Sequence, residues 1–102
     1  MGKKHWLQTR VETLLRQEFS QPESWWYFSF ADDKGFLGGL FIKTHGVITG
    51  TIKARQQKMN PGGEVRAMPC PDESKLPPEE FRNRLLTKEE MLFLGGVQPG
   101  TT

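Results

Sequence analysis

Residues 24–32 read SWWYFSFAD, and no other stretch of this chain restricts the fold as strongly. In an extended strand successive side chains point to opposite faces. Trp26, Phe28 and Phe30 therefore share one face, and Trp25, Tyr27 and Ser29 the other. The first trio is the expected core face, because burying one large aromatic contributes roughly 1.5–3 kcal/mol and three can dominate a small domain. The second face poses the functional question. Trp25 and Tyr27 each join a flat apolar surface to one polar atom, which suits a second packing layer, a subunit interface or stacking on a ligand.

The neighbouring segments supply partners for this strand. Upstream, Leu7, Val11, Leu14, Leu15 and Phe19 recur at spacings of three and four, which predicts a helix over residues 3–20 with one apolar stripe. Pro22 ends it. Downstream, Asp32-Asp33-Lys34-Gly35 reads as a hairpin turn and residues 36–43 as the returning strand. Gly38 and Gly39 inside that strand mark a bulge or the close approach of another backbone or a ligand. Residues 44–59 carry conflicting signals. Val47, Ile48, Thr49, Thr51 and Ile52 favour a strand, whereas Ile48, Ile52, Arg55 and Met59 follow helical spacing, and the length suits a crossing helix.

Asn60-Pro61-Gly62-Gly63 is a sharp turn, with Asn60 expected to leave the helix in a left-handed conformation. A third strand follows at residues 64–68. Its turn amides can form an anion-binding nest with Arg66 or Lys58 beside it. Four prolines between residues 69 and 78 make a loop. Pro77-Pro78-Glu79-Glu80 suits the first turn of a C-terminal helix that would turn Phe81, Leu85 and Leu86 to the core, and Thr87-Lys88-Glu89-Glu90 is a capping-box pattern that starts a second. Residues 95–102 are expected to form a loose tail.

The expected architecture is a single α+β domain over residues 1–94. A helix at 3–20 precedes a core at 24–94, in which a hairpin, a crossing helix and a third strand make a small, mainly antiparallel sheet, closed by a C-terminal helix. Three strands barely cover themselves, and exposed edges invite pairing, so a homo-oligomer, a dimer or larger, is expected.

Composition excludes several functions. A mean hydropathy of -0.58 and the lack of any apolar run near 20 residues argue against a membrane span. The basic start MGKKHWLQTR has no apolar stretch after it as a signal peptide would, so a cytoplasmic location is expected. One cysteine, Cys70, allows neither an internal disulfide nor a cysteine-rich zinc site, and neither His5 nor His45 has the spacing of a catalytic partner. The acidic pairs fall in turns and helix starts, where capping explains them. No catalytic residue, metal site or cofactor is therefore assigned. A net charge of +2 is too small an excess to indicate nucleic acid.

With WWYFSFAD, the hydrophobic strand after it, NPGGEV and PPEEFRNRLLTKEEM, the chain resembles a group of small uncharacterised proteins of bacteria and their phages, from about Ser24 to Met91. The resemblance implies a plain helix before NPGGEV, with the leading helix as an addition, and suggests an accessory protein of a phage or mobile element. It carries no reaction.

Three functions follow as expectations. The first is a non-enzymatic binding protein that sequesters a nucleotide-like or phosphorylated small molecule. Trp25 or Tyr27 would stack on the base, Asn60, Gly62, Gly63 and Arg66 would hold the phosphate, and Arg84 would add charge. The second is a protein-interaction module or inhibitor of a host protein, acting through the first or the last helix. The third, disfavoured by the small charge excess, is single-stranded nucleic-acid binding through Lys53, Arg55, Lys58 and Arg66 with Trp25 and Tyr27 interleaved.

Overall fold

The computed structural model describes residues 2–94, with side chains from residue 9 onward; the expected C-terminal tail lies outside the described residues. Helix α1 (Gly2–Phe19) leads into strand β1 (Ser24–Asp32), strand β2 (Gly35–Thr44), helix α2 (Val47–Gln56) and strand β3 (Glu64–Pro69). Two 3-10 turns, Glu73–Lys75 and Glu79–Phe81, precede a short helix α3 (Lys88–Phe93). The sheet is antiparallel in the order β2-β1-β3, so the aromatic strand is central and the fold is α+β.

The hairpin forms where the turn residues place it. Asp32 pairs with Gly35 across a two-residue loop, Asp32 Oδ1 accepts the Lys34 N–H at 2.8 Å, and Gly35 takes φ +124°, which a Cβ would disfavour. The register slips between Phe30 and Ala31, opposite Leu37, one residue before the paired glycines.

The sheet is covered on both faces. On the first, Phe28, Phe30, Leu40 and Ile42 are buried beneath Ala54 and Met59, so helix α2 crosses this face. The conflict over residues 44–59 resolves to helix, but with an unexpected inside. Small residues Gly46, Gly50 and Ala54 recur every fourth position and are buried, while Val47 and Ile52 point outward. A Cβ on Gly50 would lie 2.3 Å from Phe28 Cζ, so the helix can sit this low on the sheet only with glycine there.

The second face is closed by the C-terminal segment. Tyr27, Phe41, Leu86 and Met91 form a second buried cluster. The helix expected from Pro77 does not form: a single 3-10 turn at Glu79–Phe81 gives way to extended chain. Asn83 donates its N–H to Phe41 O at 2.8 Å, and Leu86 and Gly39 exchange both backbone hydrogen bonds at 2.7 and 3.0 Å. The chain from residue 83 to 86 thus lies along the outer edge of β2. Sheet pairing outweighs helix propensity here because it buries Leu86 completely. The two glycines make room, since a Cβ on Gly38 would come 2.7 Å from Leu85 Cδ1 and one on Gly39 2.9 Å from Tyr27 Oη. The later start is a true helix, with the Thr87–Glu90 capping box fully made. Of the two edges expected to be exposed, only that of β3 lacks a strand partner among the described residues.

Candidate interaction surface

The residues that the sequence suggests for a small ligand are not gathered in one place. Tyr27 is only 4% exposed and packs on Phe41 at a ring separation of 4.9 Å, so it cannot stack on a ligand and is withdrawn from the site. Burial, opposed by the Ser29 hydroxyl, pushes its phenol above the usual range. Trp25 is half-buried and already carries the Arg82 guanidinium 5.4 Å above its ring. The NPGG turn lies at the other end of the sheet, where a Cβ on Gly63 would meet Ala31 O at 2.5 Å. Six residues of strand, about 20 Å, separate Ala31 from Trp25.

The turn itself is occupied by its own side chain. Asn60 Oδ1 accepts the Gly62 N–H at 2.8 Å, which removes one donor from the expected nest. The left-handed residue is Lys58, at φ +59°, instead of Asn60. Arg66 sits opposite Ser29, its side chain 83% exposed and 3.6 Å from Glu64. Arg84 is engaged within the C-terminal segment, donating to Glu80 O at 2.9 Å and to Glu90 Oε2 at 2.6 Å. Cys70, whose thiol is pushed up by burial and only partly relieved by the Tyr27 backbone, is not poised as a nucleophile. Among the described residues no group of three or more His, Cys, Asp or Glu could hold a metal ion, and no helix is long and apolar enough to cross a membrane.

A different surface emerges around α1. The apolar stripe read on this helix is largely uncovered: Val11 is 47%, Leu14 38% and Phe19 60% exposed, and only Leu15 and Glu18 between residues 9 and 19 are even partly buried. The helix is fastened at its C-terminal end. Glu18 reaches across to the start of α2, where Oε2 accepts the Ile48 N–H and Oε1 accepts the Thr49 N–H and hydroxyl, all at 2.8 Å. Gly46, the residue before α2, offers no side-chain cap, and a Cβ there would stand 2.7 Å from Glu18 Cδ. A carboxylate from another helix therefore does the work of an N-cap. His45 Nδ1 lies 2.7 Å from Gln21 O and must carry its proton there, since a carbonyl only accepts. The Phe19 ring tilts against the imidazole at 5.0 Å.

Partial burial raises the Glu18 pKa, but the hydrogen bonds from Thr49 and Ile48 and the nearby His45 outweigh it and hold the carboxyl below its usual range. A depressed pKa stabilises the fold above the usual glutamate range, and that stabilisation drains away as pH falls below it. Replacing Glu18 with glutamine removes the charge and is expected to cost about 1 kcal/mol at neutral pH. The variant should also flatten the acid limb of a stability–pH curve measured by urea unfolding.

Two open hollows flank this ridge. One, of about 330 Å³, lies between Leu14, Trp26 and Val47. The other, of about 450 Å³, is bordered by Leu15, Phe19, His45, Ile52 and Lys53. The surface was partly visible beforehand as the stripe on the first helix. The outward Val47 and Ile52 were missed, although small residues at every fourth position were the available signal that α2 turns its bulky side chains away from the sheet. Comparisons with protein families, curated proteins and solved structures find no match for this chain.

Proposed function

We propose that this chain is a non-enzymatic interaction module that engages a protein partner through α1 and the adjoining outer face of α2. The observation that carries the reading is the exposure of Val11, Leu14 and Phe19 on a helix fastened to the body at one end, beside the outward Val47 and Ile52. An isolated helix of this length is marginal in water and draws most of its stability from the packing of an apolar face. Apolar side chains grouped on one surface mark contact sites more often than chance exposure does.

The nucleotide-sequestering reading loses its geometric support, because its stacking residue is buried and its phosphate-binding turn lies at the far end of the strand from Trp25. It would regain force if Trp25→Ala or Arg66→Ala abolished binding of a nucleotide found with the purified protein.

A photo-crosslinking side chain at position 11 tests the interaction reading. Irradiation in cells should yield one dominant crosslinked protein, and the product should vanish when Leu14 is replaced by aspartate. A chain that crosslinks to nothing, or equally well with and without Leu14→Asp, would end it.

A further inference from the structure

We infer that α1 is a hinged arm: it opens from the body as a unit about Ser20 and Gln21 while both faces of the sheet stay packed, and the grip of Glu18 on the first turn of α2 sets how often it opens. The core is complete without it. Neither buried cluster contains a side chain from residues 9–19, and none is among the half-buried apolar residues packed against the clusters. In that stretch Leu15 is the one apolar side chain that is even half-buried. What holds the helix is gathered at its end. Glu18 accepts three hydrogen bonds from Ile48 and Thr49, Phe19 leans on His45, and just past the helix His45 Nδ1 donates to Gln21 O. Because His45 pins Gln21 to the body, the pivot falls at the helix end, beside the clasp.

One carboxylate spans both N–H groups and the Thr49 hydroxyl, so a displacement of Glu18 breaks all three hydrogen bonds together. Among the described side chains only Leu15 and the Phe19–His45 ring contact then resist, and a released helix of this length unravels in water. A segment tied down in this way opens at a lower free energy than the whole fold. Opening removes the Leu14 wall from one hollow and the Leu15–Phe19 wall from the other, and leaves the first turn of α2 uncapped. The inference is independent of the interaction reading: the crosslink at position 11 reports what α1 meets, whereas amide exchange reports how it moves.

Native-state hydrogen exchange on the full chain, followed residue by residue by NMR, tests this. The reporters are the amides of Ile48, Thr49 and residues 16–19, set against Phe28 and Phe30 in the central strand. The first set should exchange faster than the second. Leu86→Ala empties a buried site on the sheet face away from α2 and should speed the strand amides at least about 30-fold. The arm amides should change by less than about twofold in the same variant, because their opening leaves that face packed. Urea below the unfolding transition makes the same separation without a substitution, since it speeds an opening in proportion to the surface exposed, steeply for the strand and weakly for the arm. Glu18→Gln should speed Ile48, Thr49 and residues 16–19 together, by about fivefold. Arm amides that follow the strand amides in Leu86→Ala or in urea would make α1 part of one cooperative unit and overturn the inference. So would a Glu18→Gln chain in which none of the arm amides speeds up, or in which Ile48 and Thr49 do so without residues 16–19, because the clasp would then break without moving the helix.

Discussion

Replacing Gly50 with valine should lower the melting temperature by roughly 5–20 °C, the consequence of 1–3 kcal/mol of overpacking in a domain of this size. In an exposed helix interior, glycine is the weaker residue and substitution by alanine stabilises by up to about 1 kcal/mol. Here the sign reverses. The added Cβ would stand 2.3 Å from Phe28 Cζ and 2.9 Å from Thr44 Cγ2, and both side chains are fully enclosed. The helix must lift off the sheet, and the contacts of Ala54 and Met59 with Phe28 and Phe30 loosen with it. Gly50→Ala should be destabilising too, though by less. A stabilised alanine variant in thermal unfolding would show that α2 sits higher than described.

The second large effect is expected at Leu86. Truncation to alanine removes a fully buried side chain from between Tyr27, Phe41 and Met91 and should cost about 2–5 kcal/mol. Leu92→Ala, six residues later and 68% exposed, should stay within about 0.5 kcal/mol. Urea midpoints for the pair distinguish a C-terminal segment that completes the core from one that merely rests on it. Equal, small effects at both positions would mean the second face of the sheet does not depend on this cover.

The hairpin and third strand were legible because their signals are local. Period-two aromatics define β1, the Asp32–Gly35 turn sets the return, and the glycines after Asn60 set up β3. The helical assignment of residues 44–59 was available but not its orientation. The spacing of Ile48, Ile52, Arg55 and Met59 indicated a helix without saying which face is inner, and the sheet leaves room only for Gly50 and Ala54, a constraint set by Phe28, twenty-two residues before Gly50. A second packing layer over Tyr27 and a core-facing Leu86 were readable, but not that extended chain would supply the cover, because residues 83–86 read as helix until the unpaired edge of β2 is there to receive them. The suggested ligand residues failed together for one reason: Trp25 and the NPGG turn are near opposite ends of the same strand, and spacing along a chain says little about which end of a sheet a later turn will reach. Glu18, by contrast, carries no local signal of a structural role, and only the approach of α2 gives it three donors.

The closure of the β2 edge by residues 83–86 has a consequence for biosynthesis. On the ribosome, Gly39 emerges well before Leu86, and the interval at ordinary translation rates is roughly two to ten seconds. Throughout that time the hairpin can form, but Tyr27 and Phe41 have no cover and the edge of β2 offers unpaired backbone groups to any neighbouring nascent chain. A segment made well after the hairpin is the one that makes it safe, so conditions that stall translation between β3 and Asn83 should leave the most adhesive form of this protein in the cell.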